Sequence, residues 1–172
     1  MATRQREEQK QEIGKVRIDR NVKLLTYPFT QVFKGFGRVK AIKRIFGKDT
    51  VKVLSRLRIA LYSSKWGGYM WIDEKNKCLV CNIDYLKTAE KRYLYLDIIH
   101  ELVHIKQMLE GKELFDENYA YINRPTEREA YDAAVDEAKR LGMSRKEIID
   151  YLEVEWISKK EFRNFLKRFD LS

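Results

Sequence analysis

Both histidines of this 172-residue chain fall in one five-residue stretch, His100-Glu101-Leu102-Val103-His104. No other stretch restricts the fold as strongly. On a helix, residues four apart share a face, so a helical 100–104 lets the two imidazoles grip one metal ion. Glu101 projects beside them, where it can take a proton from a metal-bound water. This H-E-x-x-H spacing on a helix has the chemistry expected of a zinc-dependent hydrolase.

The flanking residues supply the helix. Leu94, Ile98, Leu102, Ile105 and Leu109 repeat at helical spacing and make an apolar stripe. Tyr93, Asp97, His100, Glu101, His104 and Gln107 run beside it. Thr88 is the expected N-cap and Gly111 the expected stop, which gives a helix over about 89–110. Upstream, Tyr69–Asp73 and Cys78–Ile83 flank Glu74-Lys75-Asn76-Lys77 and read as a β-hairpin. On a strand Cys78 and Cys81 point to opposite faces, so they are expected as separate buried thiols.

A catalytic zinc takes three protein ligands and keeps a fourth position open. With no third histidine, a carboxylate must complete the set. The candidates are Glu127, Glu129, Asp97, Glu110 and Glu113. Asp97 lies on the same helix, better spaced for a hydrogen bond to His100 than for ligation. Glu110 and Glu113 sit near the helix end and point away. Pro125-Thr126 opens another helix, to about 141, on which Glu127 and Tyr131 share a face. Glu129 lies about 200° round from Glu127, so only one of the two glutamates can face the metal. Tyr119, Tyr121, Tyr131 and Arg124 are available to donate to a developing oxyanion.

Here the chain resembles a known group. His-Glu-Leu-Val-His followed by Pro-Thr-Glu-Arg-Glu-Ala-Tyr looks like the gluzincin metallopeptidases, and most like the small soluble minigluzincins. The resemblance covers about residues 57–141. It implies an α+β fold: a mostly helical zincin-like core with a small antiparallel hairpin beside the active-site helix. It implies one zinc ion on His100, His104 and Glu127, with Glu101 as general base and a peptide or protein substrate. Glu127-Arg128-Glu129-Ala130 matches the family's E-x-x-A. Tyr131 stands where the family often has an aspartate that supports a zinc-binding histidine. The resemblance also implies that Cys78–Ile83 lines the cleft and pairs with extended substrate.

The chain divides on this reading into a basic N-terminal extension, 1–56, and a minimal peptidase domain with C-terminal helices, 57–172. The extension is expected to hold a polar tail over 1–14, an extended segment over 15–29 and a basic amphipathic helix over 30–47. Asp49 is a plausible N-cap for a further helix, followed by a strand near Arg58–Tyr62. Ser144-Arg145-Lys146-Glu147 and Ser158-Lys159-Lys160-Glu161 have capping-box spacing and start two terminal helices.

The formal charge of +9 is uneven. Residues 1–65 carry 17 Lys/Arg against 5 Asp/Glu, a net +12, which leaves the remainder at −3. A basic half suits nucleic acid or an anionic surface. Recruitment to DNA, as in SprT-like metalloproteases, is the alternative, although that group uses a third histidine. A latent metal-bound module regulated by its N-terminal segment is another. No apolar run reaches about 18 residues and the charged N-terminus has no signal-like segment, so a cytoplasmic protein is expected.

Overall fold

The computed structural model describes residues 13–65 and 68–171. The tail expected over 1–14 lies almost wholly outside them. The fold is α+β, as expected. Its four-stranded sheet has the order β2 (Thr26–Pro28), β4 (Arg58–Tyr62), β6 (Cys78–Asn82), β5 (Met70–Asp73). β1 (Arg17–Ile18) and β3 (Phe33–Lys34) form a separate antiparallel pair.

The expected hairpin is present: β5 runs antiparallel to β6, with Met70 opposite Cys81 and Asp73 opposite Cys78. The far side of β6 pairs in parallel with β4, Ile59 opposite Leu79 and Leu61 opposite Cys81. This corrects the role given to Cys78–Ile83. Both edges of β6 are occupied, so that strand has no ladder left for a substrate; the outer edge of the sheet belongs to β5. All five residues of β6 are buried, and an unbroken Cys-Leu-Val-Cys run suits a strand covered on both faces. Cys78 and Cys81 are free thiols, as expected. β2 closes the other edge, where Pro28, lacking an N–H, is tolerated.

The single helix expected over 30–47 is instead broken. α1 (Phe29–Val32) leads through β3 and a turn at 36–38 into α2 (Lys40–Phe46). The break sits at Gly35, whose φ is +86°. A side chain there would place Cβ 2.2 Å from the Lys15 carbonyl oxygen. This position therefore needs both the left-handed backbone and the missing side chain.

Residues 16–57 are part of the main core rather than an appendage to it. Phe29, Phe33 and Phe36 pack their rings 5.0–6.0 Å apart, and Phe36 lies 5.8 Å from Tyr95 of the site helix. Val16, Ile42, Leu54 and Leu57 belong to the same buried cluster as Leu94, Ile98 and Leu102. A division at residue 56 therefore falls inside one core. α3 (Thr50–Arg56) follows Asp49, whose side chain does not cap it.

β6 leads into α4 (Ile83–Thr88), capped by Asn82 accepting from the Asp84 N–H. The site helix, α5 (Lys91–Leu109), begins at Lys91 rather than beyond Thr88. Thr88 ends α4 instead, its hydroxyl donating to the Asp84 carbonyl. Gly111, at φ +75°, stops α5 as expected. α6 (Pro125–Arg140) packs along α5, with proline in its first turn, where no N–H is needed. Tyr95 donates to the buried Glu137 at 2.6 Å, and Arg140 grips the same carboxylate at 2.6 and 2.7 Å. This fixes α6 against the site helix. α7 (Arg145–Leu152) and α8 (Lys159–Lys167) each begin with a complete capping box, on Ser144/Glu147 and Ser158/Glu161. Among the described residues, no helix is long and apolar enough to cross a membrane.

Candidate metal centre

α5 is buried around nearly its whole circumference from Leu94 to Ile105. That burial carries His100, Glu101 and His104 into the interior beside α6. The two histidine Nε2 atoms lie 3.1 Å apart. Glu127 Oε2, from the first turn of α6, is 3.2 Å from His100 Nε2 and 3.5 Å from His104 Nε2. Four donors held tetrahedrally about 2.0–2.1 Å from a zinc ion lie about 3.3 Å from one another. The observed triangle has that size. Glu127 Oε2 is buried and makes no hydrogen bond. Two imidazoles and a carboxylate are also a donor set suited to zinc.

Glu129 does not join this group. Its carboxylate is 42% exposed, ion-paired with Lys112 at 2.9 Å, and accepts from Gln107 Nε2 at 2.9 Å. The opposite faces of a helical Glu127 and Glu129 account for the difference. Glu110 also stays away, paired with Lys106.

Gln107 has a part that the sequence reading did not give it. It is fully buried, and its amide N–H groups donate to the Thr126 carbonyl and to Glu129. Its oxygen must then face His104 Nδ1, 2.7 Å away. An oxygen can only accept, so Nδ1 carries a proton, which leaves Nε2 as the nitrogen that faces Glu127 and can ligate once its own proton is displaced. The only sequence signal is that Gln107 lies three residues beyond His104, on the same helical side.

Asp97 does not bond His100, contrary to its expected role. It accepts from the hydroxyl of Tyr85, with Tyr151 near enough to favour its charged form, and His100 Nδ1 is buried without a partner. His100 is held by packing instead, with the Tyr131 ring edge-on to it at 4.5 Å. The Tyr131 hydroxyl meets that of Tyr121 at 3.2 Å. Tyr121 and Tyr131 line the cleft, whereas Tyr119 and Arg124 do not.

Burial dominates the electrostatics. It pushes the Glu101 carboxyl up to about 8 and Asp97 up to about 6. It pulls His100 down. For His104 burial also disfavours the charge, but Glu127, Glu101 and Gln107 outweigh it and the net shift is upward, to about 9. Glu127 moves the other way: burial raises it, and the two imidazoles outweigh burial and lower it. The group thus calls for positive charge between its donors, which a proton or a metal ion can supply.

The triad lies in a cleft of about 410 Å³. β5 contributes Met70, Trp71 and Ile72 to one wall, and the segment from Asp150 to Trp156 contributes to another. Trp156 reaches Tyr121 at 5.9 Å and Tyr69 at 6.3 Å. None of residues 13–65 lines this cleft, so the segment facing the triad comes from the C-terminal part of the chain. The chain matches no family model, no curated protein and no solved structure with which it was compared.

Proposed function

We propose that this chain is a zinc-dependent metallopeptidase, with His100, His104 and Glu127 as ligands and Glu101 as general base. The observation that carries this reading is the near-equilateral triangle of Nε2, Nε2 and Oε2 atoms, 3.1 to 3.5 Å on a side, beside a buried carboxylate. When bound, zinc supplies Lewis acidity and lowers the pKa of a coordinated water to about 7.

The chain's own groups do the rest. Positive charge on the triad favours the ionised form of Glu101, whose Oε2 is buried and unpaired; as a carboxylate it takes the proton from the attacking water and returns it to the leaving amine. Gln107 keeps His104 in the tautomer that ligates. The aromatic walls of the cleft restrict water around the reacting carbonyl. The outer edge of β5 offers backbone N–H and C=O groups beside the triad, where an extended peptide can add as a strand.

Metal content and turnover test this together. Purified protein is expected to carry about one zinc per chain. Glu101→Gln keeps the metal and loses cleavage. Glu127→Gln loses the metal, while Glu129→Gln retains it. Zinc-free protein from metal-replete growth, or a Glu101→Gln variant that still cleaves, overturns the proposal.

A further inference from the structure

The cleft is acidic in a chain that is basic. Lys and Arg make up 35 of 172 residues, about one in five. At that frequency its 21 described lining residues would include about four cations. They include none. They do include Asp97, Asp150 and Glu153 in addition to Glu101 and Glu127. A divalent ion on the triad balances Glu101 and Glu127 and leaves the other three carboxylates as surplus. Aromatic faces stand among them: Tyr93 lies 5.9 Å from Tyr151, and Trp156 is 52% exposed. Carboxylates beside open aromatic faces hold an ammonium or guanidinium by charge and by cation–π attraction.

We propose that the cleft selects substrates carrying a cation, with Asp97, Asp150 and Glu153 receiving it beside Tyr93, Tyr151 and Trp156. This deepens the peptidase reading and rests on it. The cation is a Lys or Arg side chain or the substrate's own N-terminal ammonium. The Tyr85 hydroxyl fixes the Asp97 carboxylate, while Asp150 and Glu153 are exposed at the cleft mouth. Selection therefore has an inner anchor and an outer rim.

The test uses the full zinc-loaded chain and Ala/Ser decapeptides. One set is capped at both ends and carries a single Lys, Arg, Gln or Glu at each position in turn. A second set has a free N-terminus and no internal charge. Cleavage is followed on the wild type and binding on Glu101→Gln. Capped Lys or Arg peptides are expected to show at least a tenfold advantage over Gln peptides in kcat/KM and in affinity, shrinking as salt rises. An advantage confined to free N-termini assigns the cation to the terminal ammonium and supports the proposal. The double variant Asp150→Asn/Glu153→Gln, changed only at exposed positions, is expected to reduce the advantage threefold or more. Selective binding of basic peptides without any cleavage by the wild type leaves the cation site standing and removes the peptidase reading. Capped Gln or Glu peptides cut or bound as well as capped basic ones, with no advantage for the free N-terminus either, overturn the proposal, as does the absence of both binding and cleavage.

Discussion

Truncating Gln107 tests the link between the fold and the metal. Its amide joins two of the three proposed ligands: its oxygen accepts from His104 Nδ1 at 2.7 Å, and its N–H donates to the carbonyl of Thr126, next to Glu127, at 3.0 Å. Gln107→Ala leaves His104 free to take either tautomer and removes the tie to the start of α6. Losing a residue that orients a metal-bound histidine lowers metal affinity about 10- to 100-fold, or about 1.4–2.7 kcal/mol. Competition against a chromophoric chelator at pH 7.5 measures this. The variant also leaves buried polar groups unpaired, at a further cost of about 1–3 kcal/mol to the metal-free fold. Melting of the chelator-treated protein reads that cost separately. Gln107→Glu retains an acceptor for Nδ1 but faces Glu129 with a second carboxylate, so it is expected to recover only part of the affinity. A folded Gln107→Ala that binds zinc within twofold of the wild type refutes the reasoning.

Two further predictions concern the fold. Gly35→Ala forces a side chain into left-handed backbone, at about 1–2 kcal/mol, and against the Lys15 carbonyl 2.2 Å away. Together these are expected to exceed about 3 kcal/mol and to lower Tm by about 6 °C or more. Gly14→Ala, with nothing within 4 Å of its Cβ, is the matched control. Acid titration reads the join between α5 and α7, because Arg92 pairs with the capping glutamate Glu147. The Ser144 backbone N–H, then Arg92, hold the Glu147 carboxyl down at about 2, below its ordinary 4.5. Its contribution is thus complete above pH 4.5 and fades as pH falls toward 2. Melting curves of Glu147→Gln are expected to show a shallower loss of stability across that window.

The features legible in the sequence are those set by local spacing. His100 and His104 share a side of α5 because a helix repeats every 3.6 residues, and Glu127 is separated from Glu129 by the same rule. Ser144 and Ser158 signal their helices because a capping box closes within four residues. What stayed hidden depends on distant partners. Gly35 breaks a plausible helix because of a carbonyl twenty residues earlier. Asp97 is claimed by Tyr85 from α4 rather than by the nearby His100. Hydrophobic patterning marked 69–73 and 78–83 as strands, but it does not report which neighbour lies on the far side. The outer position of β5 therefore emerged only from its pairing with β6 and the pairing of β6 with β4.

That outer strand also bears on how the chain avoids its own kind. An open strand edge can recruit an identical edge from another molecule and begin aggregation. β5 is four residues long and ends in Asp73. It offers a ladder for a short extended segment, yet it is shorter than the usual strand of about 5–6 residues and carries a charge at its end. Lengthening β5 would give a peptide more to grip and give a second copy of the chain the same hold.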